Sequence, residues 1–383
     1  MWMYWLVGSA AFVIWLSRTA SLHWNAMRVV RLDKVPAANT ESLPRLSIIL
    51  AALNEEHGIE PALKTLLALN YPNLEIIAVN DRSTDRTGKI LDRLAAENDC
   101  LRVYHIHDLP SGWLGKNHAL HYGSRHASGD WILFTDADVH FEPTAVSRAM
   151  SYAISQRLDH LVVMPELILS GRLEKIAVSF FMTMLIFRQQ IWKVSDVRSS
   201  AHIGLGAFNL VRTESYRRMG GHAALPMDVI DDVKLGKLMK EAGGRADFVP
   251  GGSMVKVQWV NGVSGLIRGL TKNAFAGLNY NVFHATGSSL TLLVIGFWPM
   301  IGLWVGPLVP RLLSLGTIIC MVWALRLAPP SPRVSPLYAL CYPIATLILV
   351  YITLRSMVFV YRDGGVIWRG THYPLAELRR GLV

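Results

Sequence analysis

Apolar and polar positions divide this chain into three zones. The first is an unbroken apolar run over residues 2–16, closed by Ser17-Arg18 and followed by a weaker stretch to Trp24. Taken to residue 24 it reaches the roughly 20 residues that span a bilayer. It has no basic segment before the apolar run and no small-residue cleavage pattern, so it reads as an uncleaved anchor, not a removable signal peptide. The last zone is apolar again, with candidate spans at 288–310, 312–327 and 337–361. The second of these is the shortest and is interrupted by Arg326; if one of the three is re-entrant or interfacial, it is the candidate.

Between the apolar flanks the pattern changes period. Residues 46–53 form a β-prone apolar run that stops at Asn54-Glu55-Glu56, and 74–80 form another that stops at Asp81. A helix over 58–69 puts Leu63, Leu66 and Leu67 on one face, and a second helix is expected over 88–97, capped by Ser83 or Thr84. A third strand is expected at 101–106, a helix at 118–126 and a fourth strand at 131–134. Strands alternating with helices are the signature of a mostly parallel α/β sheet. Residues 40–260 therefore read as a Rossmann-like domain. It follows an anchor at 1–24, and it precedes an interface segment at 261–287, apolar helices over 288–361 and a basic tail at 362–383.

Composition sharpens this division. Of the 383 residues, 51% are hydrophobic and only 17% charged, and mean hydropathy is +0.30, more apolar than a soluble enzyme. The net charge of +10 does not gather into a basic tract with interleaved aromatics, which argues against nucleic-acid binding. It gathers at the apolar junctions: Arg18, Arg28, Arg31 and Lys34, then Arg362, Arg369, Arg379 and Arg380. Lys and Arg beside apolar spans favour the cytoplasmic face and anionic lipid. Both junctions on one side require an even number of crossings after the domain, which three C-terminal spans would violate. The three cysteines, Cys100, Cys320 and Cys341, form neither a disulfide framework nor a metal-binding spacing.

Candidate chemistry sits at the strand ends, which in an open α/β sheet line one crevice. The sharpest feature is Asp136-Ala137-Asp138, where a buried run ends in two carboxylates. Two such groups repel unless a cation lies between them, and a hard divalent ion bridging to phosphate is a suitable occupant; a helix cap is the competing reading. Asn54, Glu55 and Asp81 end the preceding strands. Lys116 lies in the glycine-flanked run Gly112-Trp-Leu-Gly-Lys116, suited to a phosphate or a leaving group. Gly204-Leu-Gly206 allows close approach of backbone to ligand. Asp228, Asp231 and Asp232 open a helix running to about residue 242; one acid suits the helix dipole, and a second facing the crevice makes a general base. The apolar helix expected over 175–193, with Phe180, Phe181 and Phe187, reads either as an interface helix that admits a lipid or as a core helix. Neither a dinucleotide fingerprint nor a P-loop is present.

Six motifs, in order, resemble family 2 glycosyltransferases of the GT-A fold: Leu-Asn54-Glu-Glu, Asn80-Asp81-x-Ser-Thr-Asp85-x-Thr, Gly115-Lys116-x-x-Ala-Leu, Thr135-Asp136-Ala-Asp138, Gly204-x-Gly206-Ala-Phe and Asp231-Asp232-x-x-Leu. The membrane-flanked layout is similar to the subgroup that glycosylates lipids, including ceramide, carotenoid and hopanoid-associated enzymes. The resemblance implies a cytosolic GT-A domain on a bacterial inner membrane, a nucleotide-sugar donor of UDP type and a lipid acceptor. It implies that Asn54, Glu55, Asp81, Lys116 and Asp136 bind the donor, with Asp81 at base and ribose. Asp138 with Asp136 would hold Mg²⁺ or Mn²⁺, and Asp232 would deprotonate the acceptor hydroxyl in an inverting displacement. Asp231, Gly206 and Lys272 are further candidates for acceptor or diphosphate. The chain departs from the family in lacking Q-x-x-R-W, where Arg268-Gly-Leu-Thr-Lys272-Asn stands instead. A polyprenyl-phosphate sugar synthase and a non-catalytic membrane scaffold remain as alternatives.

Overall fold

The structure is a computed structural model and describes residues 2–26, 29–37, 43–328 and 334–382. Arg28 of the first basic junction and residue 40, the expected domain start, lie outside the described residues. The chain divides into two compact units that interleave in sequence. One comprises residues 30–168, 193–258 and 376–383; the other comprises 1–29, 169–192 and 259–375.

The first unit is built on an eight-stranded sheet. In chain order its strands are β1 (Leu46–Ala52), β2 (Leu74–Asp81), β3 (Leu101–Ile106), β4 (Trp131–Asp136), β5 (Val139–Phe141), β6 (His160–Leu167), β7 (Asn209–Arg212) and β8 (Ala246–Val257). Their spatial order is β3-β2-β1-β4-β7-β6-β8-β5. The half from β3 to β4 is parallel, β7 runs antiparallel to both neighbours, and β6 pairs parallel with β8. The inner parallel strands β1, β2 and β4 carry a largely apolar buried core because helices cover both faces: Ile48, Ile49, Ile76, Ile77 and Leu133 are fully buried. Register aligns the carboxyl ends, with Ala51 opposite both Val79 and Asp136. The side chains that end β1, β2 and β4 thus open on one edge.

The expected strands and helices of residues 46–134 are present. Helices α2 (Ile59–Leu67) and α3 (Thr87–Ala96) fall within a residue or two of expectation. Helix α4 (Gly115–His126) begins three residues before the expected 118. Gly123 explains its setting: a Cβ there would lie 2.7 Å from Ile49 and 3.2 Å from Val79. Its absence lets α4 press onto the sheet and aim its first turn at the carboxyl edge. After β5 come α5 (Ala145–Ser155), α7 (Thr213–Arg218) and α8 (Asp231–Glu241), α6 belonging to the other unit. The C-terminal α13 (Leu375–Arg380) buries Leu378, and Gly381 abuts Met227. The expected basic tail is therefore folded, and residues 376–382 pack within the sheet-bearing unit.

The other unit is helical. It holds α1 (Trp2–Ala26), α6 (Arg172–Gln189), α9 (Gly262–Ala274), α10 (Val282–Gly302), α11 (Leu308–Leu327) and α12 (Tyr342–Arg362), with a hairpin of β9 (Gly365–Trp368) and β10 (Thr371–Pro374). Four helical stretches are long and apolar enough to cross a membrane: Trp2–Asn25, Val282–Gly302, Leu308–Leu327 and Pro336–Arg362. Small residues bring them together, as in lipid, where packing replaces the hydrophobic effect. Gly316 faces Phe12, Gly296 faces Thr346, and buried Trp15 donates to the Ile295 carbonyl at 2.8 Å. The segment singled out as re-entrant or interfacial, 312–327, lies within one continuous helix. It starts four residues earlier because Pro310 is tolerated in a first turn. Likewise α10 starts six residues before 288, where the Asn281 side chain accepts from the His284 N–H. In α6, Phe180 and Phe187 are buried and Phe181 stacks on Trp259. Phe180 and Phe187 are thus packed inside the unit, and Phe181 is half-buried.

Candidate active site

The loops after β1 and β2 are tied together by their own polar side chains. The Asn54 side-chain Oδ1 accepts from Thr84 N–H at 2.8 Å, Asn54 backbone N–H donates to Ser83 Oγ, and Glu55 N–H donates to Thr87 Oγ1. Asp85 accepts from Glu56 and Thr87 N–H. Asn54 adopts a left-handed φ of 55°, a conformation Asn tolerates better than most residues. The Asn-Glu-Glu and Asp-x-Ser-Thr-Asp motifs are thus one structural unit. It shapes the crevice wall, with Asn54 turned toward the neighbouring loop. Asp81, at the end of β2, is buried and accepts a two-pronged contact from Arg82, 2.7 and 3.0 Å.

At the centre stands Lys116 in the first turn of α4. Its ammonium lies 2.8 Å from Asp136 and 3.9 Å from Asp231. Burial alone would lower its pKa, but Asp136, Asp231 and Asp232 outweigh burial and hold it above the usual lysine value. The cation is fixed in its charged form at the carboxyl edge. Asp138 follows in the turn between β4 and β5 with its side chain open to the crevice mouth. Surrounding protein, then the charges of Asp136 and Glu55, push its carboxyl up to about 6.

Residues 203–206 form an irregular segment, not a strand, flush against α8. A Cβ on Gly204 would meet the Asp232 carbonyl, and one on Gly236 would meet the Ile203 carbonyl. Gly206 lies between the two halves of the site. A Cβ there would stand 2.4 Å from Asp136 Oδ2, while its N–H donates to Asp232 Oδ2 at 2.8 Å. The other oxygen of Asp232 accepts from Val233 N–H at 2.8 Å. Burial raises the Asp232 pKa against the pull of Lys116 and these two N–H groups. The result is an oriented carboxylate whose remaining lone pairs can accept a proton. Beneath it, Lys116, Asn209, His222, Asp231 and Asp232 border a cavity of about 10 Å³, the room one water needs.

The structure therefore gathers Asp136, Lys116, Asp231, Asp232 and Gly206 at one point, with Asp138 and Glu55 close enough to interact. Lys272 belongs to the helical unit, where its ammonium lies 3.7 Å from the centre of the Trp368 ring. Among the described residues no set of three His, Cys, Asp or Glu side chains is arranged to hold an ion alone. A divalent ion held by one or two carboxylates, with water and phosphate oxygens completing its shell, needs no such set. The crowding of Asp138 by Asp136 and Glu55 is what that charge would relieve, so the residues fit Mg²⁺ or Mn²⁺. Sequence reasoning missed Asn117, whose amide donates to the Leu225 and Asp228 carbonyls and clamps the loop leading to Asp231. It also missed Arg82. The one signal for Arg82 was its place next to Asp81.

The carboxyl edge of this mixed α/β sheet thus carries paired acids, a lysine fixed in its charged form and a separate buried carboxylate. Comparison with known proteins bears on this site: residues 47–220 match Glycosyl transferase family 2, and the mixed, mostly parallel sheet has the GT-A fold of a solved neighbour. Asp231 and Asp232 lie beyond the matched stretch. The chain is 32% identical over 160 residues to a poly-beta-1,6-N-acetyl-D-glucosamine synthase of Staphylococcus aureus, covering 42% of this chain and 34% of that protein. It is 40% identical over 110 residues to a probable glycosyltransferase, YdaM, of Bacillus subtilis, covering 28% of this chain and 26% of that protein. The chain thus spans about a third or less of these curated relatives. Among solved structures, a mannosyltransferase from Pyrobaculum calidifontis in complex with GDP-Man and Mn²⁺ matches with a TM-score of 0.56 at 18% identity. That match covers 94% of this chain and 99% of that one.

Proposed function

We propose that this protein transfers a sugar from a nucleoside-diphosphate donor to a hydroxyl of a lipid, with inversion, at the cytoplasmic face of a membrane. One observation carries the chemistry: Gly206 lies close against Asp136 and donates its N–H to Asp232, so the proposed diphosphate-binding cluster and the proposed base meet at one backbone position. Asp81 contacts the nucleoside. Lys116 places fixed positive charge where the diphosphate develops negative charge, and such preorganised charge lowers the barrier. Asp138 with Asp136 holds the divalent ion, which when bound acts as a Lewis acid on the leaving diphosphate. Asp232, its orientation fixed by two N–H donors, takes the proton of the acceptor hydroxyl. The hydroxyl oxygen bonds to the anomeric carbon as the bond to the phosphate oxygen breaks, in one displacement.

Four apolar helices and the basic residues beside them support a membrane-embedded acceptor. Residues 376–382 pack within the unit that carries the sheet, so tail and sheet share one side of the membrane. The segment 259–375 then crosses an even number of times, and one of its three long helices does not complete a crossing. Cysteine labelling at residues 34 and 382 in sealed vesicles should give the same accessibility; opposite accessibility would refute this topology. The catalytic assignment is tested by Asp232→Asn, which should abolish transfer and leave binding of the sugar nucleotide intact.

A further inference from the structure

His222 is a titratable side chain, only 1% exposed, that the proposed transfer leaves unused. It follows Gly220 and Gly221, whose φ angles of 93° and 57° are left-handed and open to glycine without strain. A Cβ on Gly221 would stand 2.9 Å from Tyr216 Cζ, so this turn lays the chain directly on the Tyr216 ring. The imidazole packs edge-on against Phe134 at 4.7 Å. Burial, then Lys116 and His121, lower its pKa to about 3. The ring is therefore neutral at neutral pH, and one of its nitrogens carries a lone pair.

The surrounding hydrogen bonds fix which nitrogen that is. Ser124 O–H donates to the His121 carbonyl at 2.8 Å, so Ser124 Oγ can only accept from Tyr216 O–H, 3.2 Å away. The phenol proton is then used, and the phenol oxygen accepts from the His222 backbone N–H at 2.9 Å. Nδ1, 2.8 Å from the same oxygen, is thereby the protonated nitrogen, and Nε2 is the acceptor. Among the described residues no protein group hydrogen-bonds to Nε2. The ring borders the small cavity shared with Lys116, Asn209, Asp231 and Asp232. The Asn209 amide oxygen accepts from His160 Nε2–H at 2.9 Å, which leaves its NH₂ group as a donor. Donors on Asn209 and Lys116, with acceptors on His222 and the acids, supply the two to four partners that a buried water requires.

We propose that His222 is a positioning residue: held as the Nδ1–H tautomer, it presents Nε2 to a buried water that donates one hydrogen to Nε2 and the other to Asp232, and so fixes the base. This rests on the glycosyltransferase reading above. The test separates the two edges of the imidazole. In His222→Asn the amide reaches only the Nδ1 position and keeps a donor for Tyr216. In His222→Gln it reaches the Nε2 position and keeps an acceptor for the water. Steady-state transfer by the full chain in membranes should show kcat about tenfold lower for His222→Asn, the effect of one hydrogen bond to a charged group, with donor KM changed less than about threefold. His222→Gln should recover kcat to within about threefold of the unmodified protein, although it unfolds at lower denaturant. Equal losses in the two variants, a loss confined to KM, or full activity of His222→Asn overturns the proposal. Nitrogen-15 NMR of the histidine-labelled full chain in detergent micelles, assigned by the signals missing from either folded variant, gives a readout independent of activity. It should show a neutral ring protonated on Nδ1; a ring protonated on Nε2, or on both nitrogens, overturns the proposal. Absence of transfer from any nucleotide sugar by the unmodified protein, with the Nδ1–H ring in place, would overturn the glycosyltransferase reading instead.

Discussion

Replacing Gly206 by alanine tests how the two halves of the site depend on one backbone position. The added methyl would stand 2.4 Å from Asp136 Oδ2 and 3.0 Å from its carboxyl carbon. Ordinary contact needs about 1 Å more, so either Asp136 leaves Lys116 or the 203–208 segment retreats. Retreat stretches the 2.8 Å bond from Gly206 N–H to Asp232. A hydrogen bond to a charged group contributes about 1.5–3 kcal/mol, and each 1.36 kcal/mol is a factor of ten in rate. The expected loss in kcat is therefore about 10- to 100-fold, in keeping with the cost of a ~1 Å misplacement of a catalytic group. Initial rates over donor concentration, with calorimetric binding of UDP and Mn²⁺, measure it. Gly269→Ala is the control, since no atom lies within 4 Å of the added methyl and alanine suits a helix interior. A Gly206→Ala enzyme with kcat within twofold of the unmodified protein would refute the reasoning.

Two further outcomes follow from charged groups. The Asp138 carboxyl is raised to about 6 in the metal-free protein, so it is ionised and attractive to a cation above that pH and neutral below it. Mn²⁺ affinity of the nucleotide-free protein should fall as pH drops through about 6; a fall only near the ordinary carboxylate range of about 4 would contradict the crowding of this residue. At the opposite edge of the sheet, buried Glu75 accepts from Ser47 Oγ, Ser128 N–H and Ser128 Oγ. Burial alone would raise its pKa, but these bonds and Arg45 lower it. Its stabilisation is therefore full above the unfolded carboxyl pKa and lost as pH falls through the lower folded value. Glu75→Gln should cost roughly 1.5–3 kcal/mol at neutral pH by denaturant unfolding, without changing kcat. An unchanged midpoint would show that the cluster adds nothing.

The sequence pattern carries much of this architecture because the decisive signals are local. Apolar runs at 46–52, 74–79 and 131–134 are strands wherever they occur in a covered parallel sheet, and each ends in the polar residues that reach the crevice. The order of Asp81, Asp136, Asp138 and Asp232 was legible for the same reason. What stayed hidden depends on long-range contact. The antiparallel placement of β7 between β4 and β6 has no local signature. Neither does the close approach of Gly204 and Gly206 to α8, which reads in sequence as a small-residue bend. Arg82 looks like any surface arginine until its backbone turns left-handed and folds it onto Asp81. Helix α11 starts ahead of Pro310 because a first helical turn accepts proline, a setting that the residue's helix-breaking character hides in the sequence. The packing of Phe180 and Phe187 inside the helical unit was likewise unreadable from an apolar stretch flanked by charge.

The central claim is that the crevice moves a sugar from a nucleoside diphosphate to a lipid hydroxyl with Asp232 as the base. Membranes bearing the unmodified chain or Asp232→Asn, incubated with labelled nucleotide sugars and Mn²⁺ and extracted with organic solvent, test it directly. The account predicts label in an extractable lipid, joined by an O-glycosidic (acetal) bond to the former hydroxyl oxygen, for the unmodified protein. It predicts no transfer by Asp232→Asn despite undiminished donor binding. Label in a polymer or on a lipid phosphate, or full transfer by Asp232→Asn, would contradict it.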